Sequence, residues 1–358
     1  MKILVIVPTL HRGGAERAVS RLSQAWQEAH EVLVTVFDSS MAAYPYGGNL
    51  VDLKCPAVNG IWGKLINSLR RISSLVSLIR KEKPDRIISF MESANFPAVL
   101  AALLTRSLSC LTVSVHDDPK RFIPIQRHLI PLLYRFPRCV VAVSQGVLLA
   151  LEKMGIPQQK LFFIPNSSPG NQEKTENIKE ENIRRPPRYV LGVGRLSPQK
   201  RFDRLMVAFA GIDDPSLCLV ILGEGDERAG LETLAEELGI NDRFMMPGAI
   251  GDIASWYENA LCFVLSSEHE GWPTVLMEAM HYHCPVVSFD CRYGPSEIIE
   301  SEVSGLLVPE GDVIALRSAI IKVINNETLR ESFVKESLRK MKQYDVKNIA
   351  KMWLDSFA

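Results

Sequence analysis

Three short stretches of this 358-residue chain carry residues whose types and spacing could do chemistry. The first is Gly192–Arg204 (GVGRLSPQKRFDR), where Arg195 and Lys200 stand five apart beside glycines. A planar guanidinium fork and a point charge together suit a diphosphate, although basic loop residues are also often merely solvated. The second is Ser266–Met280 (SSEHEGWPTVLMEAM), where Gly271 and Pro273 mark a turn and a helix begins at Pro273 or Thr274. The N–H groups of a helix start attract an anion. Glu270 precedes that helix and Glu278 lies inside it, so both carboxylates would flank one phosphate site. Glu278 could accept two ribose hydroxyls and Glu270 a sugar hydroxyl. The competing reading of Glu278 is a solvated helix face shared with Thr274 and His281. The third stretch is Pro8–Arg17 (PTLHRGGAER), where Gly13 and Gly14 at a helix start expose backbone N–H groups to a phosphate. A tight turn explains those glycines equally well. No G-x-G-x-x-G and no Walker lysine accompany them.

The elements that must position these residues follow from the alternation of apolar runs with helical patterns, the mark of parallel α/β sheets. Strands are expected at Ile3–Val7, Val32–Phe37, Arg86–Phe90, Leu111–Val115, Val140–Val143 and Leu161–Ile164. They are expected again at Tyr189–Val193, Cys218–Leu222, Phe244–Met246, Cys262–Leu265, Val286–Phe289 and Gly305–Val308. Between the two sets lies a polar, Pro-flanked run, Asn166–Pro187, that reads as a linker. The expected organisation is two Rossmann-like domains facing each other across a cleft. Residues 1–168 form the first, 169–187 the linker and 188–341 the second, with a C-terminal helix over about 342–358 packing back onto the first. Ligands in open α/β sheets sit beyond the carboxyl ends of the strands, where all three stretches fall.

Composition narrows the classes. Hydrophobic residues are 47% of the chain, enough for two cores. The charge is balanced overall, yet residues 1–165 hold 20 Lys+Arg against 11 Asp+Glu and the remainder 21 against 30. Only the first half is therefore expected to meet something anionic; the asymmetry could equally hold the halves together. The seven cysteines show no CxxC pair and no metal spacing, so they read as free thiols in a reducing compartment. The N-terminal apolar run is too short for a signal peptide and no 18-residue apolar stretch exists, which places the chain in the cytoplasm.

Taken in order, GGAER, GRLSPQK and EGWPTVLMEAM, with LGEGDER (222–228), PGAIGDIASWYENA (247–260) and DCRYGPSEII (290–299), resemble the retaining glycosyltransferase family 4 with the GT-B fold. The resemblance covers nearly the whole chain, most strongly residues 189–308. It implies that Arg195 and Lys200 clamp the diphosphate of a nucleotide-sugar donor and that Glu270 holds sugar hydroxyls. It also implies that Gly271, Trp272, Pro273, Thr274 and Val275 bind phosphate and sugar through their backbone, and that Glu278 holds the ribose. The base would lie near Gly225, Ala249 and Ile250. From the first domain, Gly13 and Gly14 would pack against the donor diphosphate with Glu16 as a further substrate-binding residue, His116 would stand near the transferred sugar, and Ser144 and Asn166 would occupy further cleft positions. The run SSPGN after Asn166 departs from the Gly-Val-Asp-like run of many members, which affects the linker-proximal contacts.

The chemistry implied is transfer of a hexose or N-acetylhexosamine from a UDP-sugar with retention, catalysed by charge neutralisation at the departing phosphate. No D-x-D motif is present, so neither a metal nor a cofactor is expected, and nucleic acid is not an expected partner. Two stretches bear on the acceptor: Ile61–Lys83, with apolar residues at helical spacing and six basic residues, and the basic, apolar Pro119–Arg138. A basic amphipathic helix can lie on an anionic membrane surface, at the inner face of the cell membrane, with Lys64, Arg70, Arg71 and Lys81 as its charges. A core-packed helix with a solvated basic face is the alternative. The membrane reading favours an acceptor glycan carried on a lipid, in cell-surface polysaccharide or lipopolysaccharide biosynthesis. A GT-B sugar-nucleotide epimerase and a non-catalytic GT-B partner subunit are the other readings; a nicotinamide dehydrogenase is disfavoured by the missing fingerprint.

Overall fold

The computed structural model describes residues 1–11, 13–40, 42–170 and 183–356. It divides the chain into two compact units, Met1–Gly170 with Asp345–Ala358, and Asn171–Tyr344. Most of the expected linker lies outside the described residues.

Unit 1 is built on β1 (Lys2–Val7), β2 (Glu31–Val36), β3 (Asn49–Asp52), β4 (Arg86–Phe90), β5 (Leu111–Val115), β6 (Cys139–Ala142) and β7 (Leu161–Phe163). They form one parallel sheet in the order β3-β2-β1-β4-β5-β6-β7. Its helices are α1 (Gly14–Trp26), α2 (Ile61–Glu82), α3 (Glu92–Thr105), α4 (Pro124–Leu133) and α5 (Gln145–Lys153). Runs such as Ile3–Val7, buried throughout, are what a parallel sheet covered on both faces requires. The order reverses between β1 and β4, so the loops after those strands open the crevice where such sheets take ligands.

Unit 2 repeats the plan with β8 (Tyr189–Val193), β9 (Cys218–Leu222), β10 (Phe244–Gly248), β11 (Cys262–Leu265), β12 (Val286–Asp290) and β13 (Leu306–Pro309). All pairs are parallel, in the order β10-β9-β8-β11-β12-β13, and the switch point lies between β8 and β11. Its helices are α6 (Phe202–Ala210), α7 (Arg228–Glu237), α8 (Ala254–Glu258), α9 (Thr274–His281), α10 (Pro295–Ile298), α11 (Val313–Ile324) and α12 (Glu327–Met341).

The last helix, α13 (Val346–Asp355), belongs to unit 1. Trp353 is buried with its ring 5.2 Å from that of Phe90, and the indole N–H of Trp26 donates to the Ala350 carbonyl at 3.1 Å. Both tryptophans share one core cluster with the β1, β2 and β4 residues. Asp345 caps the helix, accepting from the Lys347 N–H. All seven cysteines are free.

Replacing Trp353 by Ala removes this anchor and should destabilise unit 1 by about 3–5 kcal/mol, read by urea unfolding of the full chain. A loss below about 1 kcal/mol would show that α13 does not hold unit 1 together.

Candidate functional site

In unit 2 the switch point brings the loops after β8 and β11 side by side. Lys200 ends a short 3-10 turn (Pro198–Lys200), and its ammonium donates to Glu270 Oε1 at 2.6 Å. Both side chains are largely buried, at 16% and 8% exposure. Backbone and side-chain bonds hold the two loops in register: Glu268 N–H to Gln199 O at 3.0 Å, Gln199 Nε2 to His269 O at 2.9 Å, and Ser266 Oγ to Lys200 O at 2.8 Å. The chain then leaves through Arg201, left-handed at φ 48°, whose guanidinium bonds Asp203 at 3.0 and 2.8 Å. A left-handed non-glycine residue costs about 1 kcal/mol, offset here by those bonds. Arg195 is exposed and pairs with no carboxylate among the described residues. Unit 2 therefore presents one cation fixed by Glu270 and one available to a ligand.

The loop after β11 continues through Gly271, Trp272, Pro273 and Thr274, all buried, and the half-buried Val275. Gly294 packs on it: a Cβ there would stand 2.5 Å from Pro273 Cδ. Pro273, the N-cap of α9, makes no side-chain cap bond, and a helix start of this kind suits an anion. Glu278 is 1% exposed. The solvated-face reading of that residue therefore fails; it is a carboxylate committed to the interior one turn into α9.

The loops after β8, β9 and β10 meet backbone to backbone. Leu196 N–H bonds Glu224 O at 2.9 Å, Glu227 N–H bonds Leu196 O at 3.1 Å and Gly223 N–H bonds Gly248 O at 2.9 Å. A Cβ on Gly223 would strike the Gly194 carbonyl and one on Gly225 the Leu196 carbonyl, so glycine is required by close approach at both. Gly225, Ala249 and Ile250 are all partly exposed on these loops. Arg228 bridges Glu224 at 2.8 Å and Glu232 at 3.1 Å, closing this edge.

In unit 1 the loop after β1 leads to Gly13, the N-cap of α1, with Gly14 as its first residue. A Cβ on Gly13 would collide with the Glu16 carboxylate. The Glu16 carboxylate thus lies against Gly13 at the start of α1. His116 follows β5. Its Nε2 lies 3.0 Å from Ser114 Oγ, whose hydroxyl proton is directed to Ser89 O at 3.2 Å. Ser114 can then only accept, which puts the imidazole proton on Nε2 and leaves Nδ1 as an acceptor. Desolvation lowers the His116 pKa to about 3, so the ring is neutral at physiological pH. Ser144 is fully buried and caps α5 by accepting from Val147 N–H at 3.1 Å. Asn166 is buried just beyond β7.

Sequence reasoning overlooked Glu92 and Asn95, at the start of α3. Glu92 is buried beyond the carboxyl end of β4, and its pKa is raised to about 8 by desolvation, with Asp117 adding to the shift. Inspecting the loop after every strand, β4 included, would have found it.

The family model for Glycosyltransferase Family 4 matches residues 12–167, and that for Glycosyl transferases group 1 matches residues 173–340. Campylobacter jejuni has a relative 27% identical over the whole chain and 98% of its own length, named GalNAc-alpha-(1->4)-GalNAc-alpha-(1->3)-diNAcBac-PP-undecaprenol alpha-1,4-N-acetyl-D-galactosaminyltransferase. The amylovoran biosynthesis glycosyltransferase AmsD of Erwinia amylovora is 26% identical, covering 99% of both chains. Among solved structures, Anabaena HepE in complex with UDP-glucose superposes with a TM-score of 0.81 at 20% identity, covering 99% of both chains. The fold expected from sequence, two Rossmann-like α/β domains of the GT-B type, is the fold found. With one family model on each unit, the chain is a glycosyltransferase and belongs to glycosyltransferase family 4.

Proposed function

We propose that this enzyme moves a hexose or N-acetylhexosamine from a UDP-sugar to a glycan carried on a lipid, with retention of configuration and without a metal ion. The observation that carries the donor side is the Lys200–Glu270 pair beside the unpaired Arg195 and the uncapped start of α9. Departure of a nucleoside diphosphate leaves negative charge on the β-phosphate, and fixed cations with helix N–H groups stabilise that charge without reorganising. Arg195 and Lys200 take the diphosphate together with the backbone of Gly271–Val275. Glu270, already oriented by Lys200, accepts from sugar hydroxyls, and Glu278 accepts from the ribose. The base rests near Gly225, Ala249 and Ile250. The acceptor hydroxyl attacks on the face the phosphate leaves, and its proton passes to the departing phosphate oxygen, so no carboxylate nucleophile is needed. In unit 1, the resemblance assigns His116 to the transferred sugar and Gly13 and Gly14 to the diphosphate, with Glu16 beside them; these assignments are part of the proposal. Ser144 and Asn166 line that side. UDP bound to HepE and the undecaprenyl diphosphate carrier in the name of the Campylobacter relative support the two substrate classes.

The surface of unit 1 supports the lipid side. No helix among the described residues is long and apolar enough to cross a membrane. Instead α2 splits along its length: Leu75, Leu78 and Ile79 are buried, whereas Ile61, Trp62, Leu65, Ile66 and Leu69 are exposed, Trp62 to 77%. Ile123, Ile125 and Leu132 are exposed around α4. The core-packed reading thus holds for the second half of α2 only. Lys64 and Arg70 accompany the exposed half. Arg71 does not: its guanidinium donates to Cys55 O at 3.1 and 2.8 Å and covers the Phe37 ring. An apolar patch flanked by cations suits the interface of an anionic bilayer, and we place the enzyme at the cytoplasmic face of a membrane on that ground.

Lys200→Ala should lower UDP release from the cognate donor at least ~100-fold, measured well below its unfolding midpoint, which falls because Glu270 is left buried without its cation. Turnover within a few-fold of wild type would remove Lys200 from the mechanism. For the membrane side, the Trp62→Ser, Lys64→Ser, Arg70→Ser triple variant should bind vesicles containing phosphatidylglycerol at least ~10-fold more weakly than wild type. Undiminished co-sedimentation would rule out this patch as the docking surface.

A further inference from the structure

The loop after β11, which carries the proposed phosphate contacts, also holds an aromatic side chain that those contacts do not use. Trp272 is 4% exposed, and its indole N–H donates to the Met277 sulfur, in α9, at 2.8 Å. Its ring meets that of Tyr344 edge-on, with centroids 5.5 Å apart and planes at 66°. Gly294 packs on the same loop so closely that a Cβ there would stand 3.3 Å from Gly271 O and 3.4 Å from Trp272 Cα. Tyr344 closes a short 3-10 turn, Lys342–Tyr344, that follows α12 without a break, and α12 packs against α9. The division between the two units falls directly after Tyr344. Asp345 is the N-cap of α13, and Trp353 of that helix is buried in the unit 1 core. From α12 to α13 only this cap residue stands outside regular structure.

A crossover of this kind has no slack. Closely packed interiors transmit a displacement rather than absorb it, and Gly294 leaves the loop backbone no room where it packs. Ordering of the loop by an anion therefore bears on Tyr344 through the indole, and through Asp345 on α13. We propose that Trp272 and Tyr344 form an aromatic latch by which a nucleoside diphosphate on the Gly271–Val275 loop orders the crossover, residues 342–347. Both are then positioning residues for glycosyl transfer. The latch acts in both directions, because coupling is reciprocal: an ordered crossover tightens nucleotide binding by the factor by which the nucleotide orders the crossover. Its basis is ring against ring, since an edge-on aromatic pair requires neither the phenol hydroxyl nor a charge. The latch rests on the donor site proposed above.

The test is hydrogen exchange of the full chain, read by mass spectrometry with and without saturating UDP, beside calorimetric titration of UDP. In wild type, UDP should slow exchange at least ~5-fold in residues 271–277 and in residues 342–347, with α11 unchanged as the control. In Tyr344→Ala the protection of 271–277 should persist while that of 342–347 is lost. UDP should then bind ~5-fold more weakly, the same coupling read from the other end. Tyr344→Leu, which keeps apolar volume, takes its place if the alanine variant does not fold. Tyr344→Phe, which keeps the ring, should match wild type in both readouts. A merely structural tyrosine would lower the thermal midpoint on truncation without making 342–347 insensitive to UDP. Protection of 271–277 alone in wild type, or protection of 342–347 that survives loss of the ring, would overturn the latch and leave the donor site standing. Slowing of α11 by the same factor would reduce the effect to general stabilisation by a ligand and overturn the latch as well. Failure of wild type to bind UDP would overturn the proposed donor and the latch with it.

Discussion

The ion pair between Lys200 and Glu270 is the constraint on which the donor side of this enzyme depends. Neither charge would be tolerated alone at this burial, because removing one partner leaves the other desolvated without compensation. The pair therefore binds the loop after β8 to the loop after β11 at the one place in the sheet where the connections diverge. In the proposed mechanism its value lies in timing. The cation and the carboxylate are oriented before the nucleotide sugar arrives, so little reorganisation remains when charge develops on the leaving phosphate. Arg195 has no such partner and supplies the charge that the ligand itself must order.

Unit 1 uses the same sheet plan for a different electrostatic end. Its switch point holds Glu16 against Gly13 at the start of α1, and the cluster of Glu92, Asn95 and the neutral His116 beyond β4 and β5. One unit offers paired charge and an uncapped helix start, suited to phosphates. The other offers largely desolvated polar groups. The excess of basic residues in the first half does not gather at that cluster. Lys64 and Arg70 lie with the exposed apolar turn of α2, on the surface proposed to meet a bilayer.

Much of this was legible in the residue pattern. Buried parallel strands are near-continuous apolar runs, and the six strands of unit 2 were read within a residue or two of their observed bounds. β3 was missed because Asn49–Asp52 is a four-residue edge strand with half its residues polar and none buried. α4 was read only as a basic, apolar stretch, since Pro124 and Pro131 obscure helical periodicity. Glu278 could not be told from a solvated helix residue by spacing, which reports the face of a helix but not what covers it. Arg71 looked like a membrane charge for the same reason, until its carbonyl and ring contacts were visible. Glu92 escaped notice because a single acidic residue at a helix start is an ordinary sign of favourable helix electrostatics; only its burial marks it as unusual.

The central claim is that the loops after β8 and β11 hold a nucleoside diphosphate between Lys200, ordered before it binds, and Arg195, which the ligand orders. Calorimetric titration of UDP into the full chain tests it most directly, with Arg195→Ala as the comparison because that exposed side chain pairs with no carboxylate among the described residues. The account predicts one saturable site, weakened at least ~10-fold in the variant at an unchanged thermal midpoint. Absence of UDP binding, or equal affinity in the two proteins, would contradict it.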